Sequence, residues 1–123
     1  MTVGRTLNFP KGNIIAVDKG YNDYSWYKQS TDKDIFFVTR LKTNAKYRVI
    51  RRAVSKASGL SSDQSIEFTG AITAKKCPVE LRRIDYRDAT TGKRYIFLTN
   101  NFKLAAKTIA DIYKARWQVE LFF

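Results

Sequence analysis

The pattern of apolar and polar residues near the start of the chain predicts a strand, a helix and a second strand. After the turn signal Phe9-Pro10-Lys11-Gly12, the apolar run Asn13–Asp18 is typical of a buried strand that ends at a carboxylate. A short helix is predicted over Asp23–Gln29, with Asn22 or Asp23 as its cap. The β-prone stretch Asp34–Arg40 follows, so the pattern predicts a βαβ unit whose strands are parallel neighbours.

The middle of the chain has a different pattern, in which β-prone stretches alternate with turns that contain Ser58-Gly59, Gly70 and Thr91-Gly92. This pattern predicts an antiparallel meander with a hairpin at Asp88–Lys93. The predicted strands are Tyr47–Val54, Ser65–Gly70, Pro78–Tyr86 and Arg94–Thr99.

The last predicted element is a helix from about Phe102 to the end of the sequence, capped by Asn100-Asn101. At about 100° per residue, Arg116 lies about 60° around the axis from Tyr113, and Glu120 returns to within about 20° of it. The three residues therefore form one polar stripe beside an apolar face. An ordinary amphipathic helix with an Arg116–Glu120 pair is the simpler alternative, since charged stripes are usually solvated faces. The apolar face consists of Ala105, Ile112, Val119 and Phe123.

Composition restricts the chemistry that these side chains can perform. The 123 residues suffice for one domain with a core, and no apolar run reaches the ~18 residues of a membrane span. No leader sequence is recognisable either, so a soluble, cytoplasmic protein is expected. With no histidine and only Cys77, the chain has no means of histidine-dependent catalysis, an internal disulfide or a multi-cysteine zinc site. Carboxylates that bind magnesium or manganese remain.

The charge balance indicates a polyanionic partner. The chain has 23 Lys and Arg residues against 11 Asp and Glu, a formal net charge of +12. The basic residues are dispersed and interleaved with tyrosines, which suits contact with a phosphate backbone better than a base-reading helix. Simple solubilisation of strand faces explains any single basic pair equally well. An acidic membrane surface is a weaker alternative, because no helix is basic on one side and apolar on the other.

Asp18 and Glu120 are the candidate metal ligands. Asp18 ends a predicted parallel strand, where open α/β sheets place their sites, and the last helix could bring Glu120 alongside it. Two such carboxylates repel each other unless a cation bridges them, so a divalent metal that acts on a phosphodiester is the natural chemistry. The alternative is that Asp18 merely caps the next turn.

Four segments resemble one known family. They are Asp18-Lys-Gly-Tyr21 after an apolar strand, Phe36-Phe-Val-Thr-Arg40, Tyr95-Ile-Phe-Leu-Thr-Asn-Asn101 and Tyr113-x2-Arg116-x3-Glu120. Together they resemble the C-terminal half of a bacterial insertion-sequence transposase of the insertion-sequence-four type. The last segment is similar to that family's Y-R-E-K signature, whose final lysine would fall seven residues after Glu120 and beyond Phe123.

The resemblance implies an α/β fold with a partial ribonuclease-H-like core, an antiparallel β-rich insertion and a C-terminal helix. It divides the chain into a βαβ part of the core (1–41), the insertion (42–99) and the active-site helix (100–123). Asp18 and Glu120 match two residues of the Asp-Asp-Glu metal triad, with magnesium or manganese as the cofactor. Tyr113 and Arg116 match residues that contact DNA at the transposon end.

The family's first aspartate has no counterpart in the chain and would lie upstream of Met1. The expectation is therefore a transposase fragment whose parent cleaves and joins DNA, acts on transposon ends and target DNA, and forms a homodimer. Alone, such a fragment is expected to be inactive. A non-catalytic basic module that binds nucleic acid, or a truncated regulator of an intact transposase, is the alternative.

Overall fold

A computed structural model describes residues 6–9, 12–17, 24–54 and 58–120. For residues 6–9, 12, 13 and 116–120 it describes the backbone but not the side chains. These residues form a mixed α/β structure, as predicted. None of the described helices has the length and apolar character needed to cross a bilayer. The elements are β1 (Thr6–Phe9), β2 (Gly12–Ala16), α1 (Tyr24–Asp32), β3 (Phe36–Arg40), β4 (Tyr47–Arg52), β5 (Leu60–Phe68), α2 (Ala71–Lys76), β6 (Leu81–Arg87), β7 (Arg94–Thr99) and α3 (Ala106–Glu120).

The described strands form one seven-stranded sheet in the order β1-β2-β3-β7-β6-β5-β4. β2 and β3 are parallel, with Ala16 opposite Val38, which confirms the predicted βαβ unit. The other neighbours are antiparallel. The predicted meander is confirmed as β4 to β7, and the predicted hairpin is closed by Asp88 N–H donating to the carbonyl of Lys93 at 2.9 Å.

The pairing of β7 with β3 joins the meander to the βαβ unit. Val38 lies opposite Thr99, so strands from residues 42–99 continue the sheet begun by residues 1–41. Neither this pairing nor β1 nor α2 was predicted from the pattern of apolar and polar residues. The division of the chain at residues 42 and 99 stays a prediction.

Helices pack on both faces of the sheet, and the alternation of strand side chains fills both layers. On one face, Ile109 and Tyr113 of α3 join Phe97 of β7 in a buried cluster. On the other face, Tyr27 of α1 joins Leu98 of β7 in a second cluster. We call these the α3 face and the α1 face.

The start of α3 differs from the prediction, because the helix begins at Ala106 and not near Phe102. The side chain of Asn101 accepts hydrogen bonds from the N–H groups of Lys103 and Leu104, both at 2.9 Å. Asn101 therefore caps a separate turn. The Arg82 guanidinium donates to the carbonyls of Asn101 and Leu104 and so ties this turn to β6.

Candidate active site

The predicted metal ligand Asp18 follows the end of β2, at one edge of the sheet. Because β2 and β3 are parallel, both end at this edge, and the hairpin Asp88–Lys93 lies there too. We call it the carboxyl edge. Val17 N–H donates to the carbonyl of Val38 at 3.0 Å, so the pairing persists to the residue directly before Asp18. Asp18 itself lies outside the described residues.

α3 runs across the sheet toward the carboxyl edge. It follows the turn that Arg82 holds at the opposite edge, and it packs against β2, β3 and β5. Near the carboxyl edge, Lys114 Nζ lies 2.5 Å from Asp88 Oδ2 of the hairpin. Glu120 is the last residue of α3, about 9 Å farther along the axis at 1.5 Å per residue. The side chains of Arg116 and Glu120 lie outside the described part of the structure.

Tyr113 lies in the core, so the predicted polar stripe is wrong at this position. Its side chain is fully buried, and its ring lies 5.1 Å from Phe97 and 6.2 Å from Tyr95, centroid to centroid. Tyrosine combines a polar hydroxyl with a large apolar ring, so the residue type alone does not show whether it faces solvent or packs on the sheet. Here the ring packs on β7. Its role in DNA contact stays a prediction, and its observed contacts fix α3 on the sheet.

Two cations flank Tyr95 on the α3 face at the carboxyl edge. The guanidinium carbon of Arg40 lies 5.3 Å from the Tyr95 ring centroid, and Lys93 Nζ lies 5.2 Å from it. Such cation–π contacts keep both positive charges at a fixed place on the protein. These cations could not be recognised as site residues from the sequence, because they meet only when β3 and β7 pair.

An ion pair fastens the hairpin to α3. Asp88 accepts hydrogen bonds from the N–H groups of Thr90 (2.8 Å) and Thr91 (3.2 Å) as well as from Lys114. The hydrogen bond from Lys114 is the main cause of the lowered pKa of Asp88, and in turn raises the pKa of Lys114. Both groups are therefore charged at neutral pH, and the hairpin and the helix are held together beside the candidate site.

The donor set predicted for this edge fits a hard divalent cation, because carboxylate oxygens are the ligands that magnesium and manganese prefer. Among the described residues, no three side chains of metal-binding type come together. The roles of Asp18 and Glu120 as metal ligands stay predictions.

The fold and this edge agree with a known class of proteins. Residues 2–123 match the family described as the transposase DDE domain, and the chain belongs to that family. The mixed α/β sheet is consistent with a partial ribonuclease-H-like fold of that class. Domains of this family generally use divalent metal ions.

Two relatives are named as transposases. The chain is 37% identical over 125 residues to a protein of Sinorhizobium fredii named as transposase y4zB, covering 98% of this chain and 35% of the relative. It is 30% identical over 112 residues to a protein of Geobacillus stearothermophilus named as the transposase for insertion sequence element IS5377, covering 89% of this chain and 29% of the relative. The chain thus spans about a third of the length of either protein.

Proposed function

We propose that the chain is part of the catalytic domain of an insertion-sequence transposase of the insertion-sequence-four type, in which Asp18 and Glu120 bind the metal. The observation that supports this most is the path of α3. The helix packs on β2 and β3 and runs toward the edge where β2 ends, directly before Asp18. Ile14 and Ala16 of β2 belong to the cluster on the α3 face, and β2 ends two residues before Asp18.

In this proposal the two carboxylates hold magnesium or manganese. When bound, the ion supplies activation of water or of a 3′-hydroxyl and stabilises charge on the phosphoryl group. The family's third carboxylate comes from sequence outside this chain. The chain alone is therefore expected to neither cut nor join DNA.

The cations of the edge are assigned to the DNA backbone. Arg116 is proposed to grip a phosphate of the transposon end, since a guanidinium donates two parallel hydrogen bonds to phosphate oxygens. Arg40 and Lys93, fixed beside Tyr95, offer further phosphate contacts on the same face. Tyr113 positions α3 by packing on β7. Transposon-end and target DNA are the proposed partners, in the bacterial cytoplasm and with a homodimer as the proposed intact assembly.

One experiment tests the proposal as a whole. The chain would be compared with a polypeptide that extends it by the residues carrying the first carboxylate and the terminal lysine. In the presence of magnesium or manganese, we expect the extended protein to cut DNA that carries the transposon ends. Chelating the metal should stop this cleavage. If it folds and binds these ends but never cuts with any divalent metal, a non-catalytic module is the better account, which the net charge of +12 would also support.

Replacing Arg116 by Ala should lower the affinity for transposon-end DNA about tenfold, because a hydrogen bond between charged groups contributes roughly 1.5–3 kcal/mol. Lys103→Ala, which removes an exposed charge before α3, should change the affinity less than about twofold. Fluorescence anisotropy with labelled duplex over a series of salt concentrations measures both. Equal effects of the two substitutions would favour diffuse attraction and remove Arg116 from the site.

A further inference from the structure

We propose that a notch on the α1 face, opposite to the face that α3 covers, binds a phosphate of the DNA backbone. This inference rests on the proposed function only in taking DNA as the ligand. The notch lies where the meander meets the end of β3, and its cations are Lys42, Arg83 and Arg94. It is a separate site from the carboxylates at the carboxyl edge, and it has no part in the reaction itself.

The size of the notch suits a small anionic group. Its volume is about 220 Å³, and its uncharged lining residues are Leu41, Thr43, Tyr47 and Ile96. Pockets that enclose a drug-sized ligand measure roughly 300–1,000 Å³. A phosphate group with part of its hydration shell therefore fits better than a whole nucleotide or a metabolite.

The surroundings of Arg83 favour binding of an anion in the notch. Its guanidinium lies 5.3 Å from the Tyr47 ring centroid, and its Nη1 donates to two neutral oxygens, Gln64 Oε1 at 3.2 Å and Ser62 Oγ at 3.4 Å. Its Nε is buried and has no acceptor among the described residues. None of the described carboxylates forms an ion pair with it either. Besides the hydrogen bond from Arg94, the charge of Arg83 contributes to the lowered pKa of Asp85, but that carboxylate is paired with Arg94, so a further anion beside Arg83 would be stabilising.

The neighbouring Arg94, by contrast, has a carboxylate partner. Arg94 donates to both carboxylate oxygens of Asp85, at 2.9 and 2.6 Å. The hydrogen bond from Arg94 is the main cause of the lowered pKa of Asp85. Asp85 thus compensates Arg94, and three cations against one carboxylate still leave two positive charges in excess.

A second cavity makes DNA a better occupant than a free phosphate ion. It has a volume of about 270 Å³, lies beside the first, and is lined by Lys42, Lys46 and Tyr24 among others. Lys42 borders both cavities, so the two cavities adjoin, and we infer a track of cations that runs from one to the other. Consecutive phosphates of a polymer can occupy such a track, and a single ion cannot.

The position of the notch defines what it would do. The carboxyl edge then carries cations on both faces, namely Arg40 and Lys93 on the α3 face and the notch on the α1 face. DNA that passes around this edge would be held by phosphates on either side of the reacting bond. Such contacts fix the register of the duplex without reading its sequence.

The test uses single substitutions that each remove one charge. We expect Arg83→Gln and Lys42→Gln to lower the affinity of the chain for duplex DNA about fivefold to tenfold and to reduce the salt slope by about one. Arg83→Lys should retain part of the affinity, since lysine has the same positive charge but lacks the planar guanidinium that donates two parallel hydrogen bonds. The matched controls are Arg52→Gln and Lys33→Gln, which remove exposed charges elsewhere and should change the affinity less than about twofold.

A second measurement does not depend on DNA or on catalysis. Titration with inorganic phosphate should shift the NMR signals of the Arg83 Nε–H group and the Tyr47 ring, and this response should weaken in Lys42→Gln, because both cations line the same notch. Thermal unfolding of each variant shows whether the fold is kept. If Arg83→Gln does not fold, the DNA affinities of Lys42→Gln and Arg83→Lys test the proposal without it.

The inference is overturned if the Arg83 and Lys42 substitutions weaken DNA binding no more than the controls, or if phosphate moves neither signal. That outcome leaves the proposed function intact, since cleavage by the extended protein is tested separately. Conversely, if the extended protein never cuts DNA, the proposed function is wrong. A loss of DNA binding specific to the Lys42 and Arg83 substitutions would still support the notch as a phosphate site.

Discussion

Replacing Glu120 by Gln or Asp18 by Asn should abolish metal-dependent DNA cleavage in the extended polypeptide. Each amide keeps the shape of the side chain but removes an anionic ligand. A metal ion contributes several kcal/mol of charge stabilisation, so losing its site should slow cleavage about a hundredfold to ten-thousandfold. A gel assay with end-labelled transposon DNA, in magnesium and in manganese, measures the rate.

Asp111→Asn is the matched control for this experiment. Asp111 lies on α3, is exposed, and forms an ion pair with Lys107 four residues earlier. Removing its charge should leave the cleavage rate within about twofold, because exposed pairs of this kind contribute little. DNA binding by all three variants should be measured in parallel, so that a loss of cleavage is not mistaken for a loss of binding.

Normal cleavage by either carboxylate variant would show that the residue is structural and would remove the proposed metal site. Loss of cleavage in Asp111→Asn as well would point instead to a general disturbance of α3. The informative result is a selective one, in which Asp18 and Glu120 are needed and Asp111 is not.

The sequence predicted those parts of the fold that depend on local pattern. β7 was predicted with its observed bounds, Arg94–Thr99, because turn residues precede an apolar run. The parallel pairing of β2 and β3 followed from a helix between two strands. By contrast, the pairing of β3 with β7 joins residues about sixty positions apart, such as Val38 and Thr99, and no local pattern specifies it.

Other elements lack the pattern on which such predictions depend. α2 has only six residues and none of them is buried, so it is too short to show the period of an amphipathic helix. β5 was predicted from Ser65, yet it begins at Leu60 and runs through the polar segment Ser61–Ser65. That segment is held as a strand by pairing with β4 and β6 and by the ion pair of Asp63, and not by its own alternation.

Some residues of the candidate site could likewise be predicted from the sequence, and others could not. Asp18 and Glu120 could be proposed from spacing and resemblance, and they stay predictions because their side chains lie outside the described part of the structure. The cations beside Tyr95 and the notch around Arg83 could not be proposed, because each set comes from strands that are distant in sequence.

The second large effect is expected from the buried ion pair of Arg82, since Arg82→Met should lower the free energy of unfolding by about 3–5 kcal/mol. The guanidinium donates to both oxygens of Asp63, at 2.8 and 2.6 Å, and both side chains are 8% exposed. It also donates to the carbonyls of Asn101 and Leu104, directly before α3. The substitution leaves a buried carboxylate and two carbonyls without their donor. Urea denaturation measures the change.

Arg48→Met is the control, because Arg48 pairs with Glu67 at an exposed site, where its side chain is 69% exposed. It should cost less than about 1 kcal/mol. The double variant Arg82→Met with Asp63→Leu should recover part of the loss, since no buried charge remains unpaired. It should not reach the stability of the unsubstituted chain, because the two carbonyls still lack their donor.

The same pair should also control the position of α3. Arg82 ties the turn at residues 101–104 to β6, and α3 begins two residues later, so the helix keeps its direction toward the carboxyl edge through this link. Arg82→Met should therefore increase amide hydrogen exchange at Lys103 and Leu104 more than within β2. If stability falls while exchange rises uniformly over the sheet, the pair supports the fold as a whole and has no special part in placing the helix that ends at Glu120.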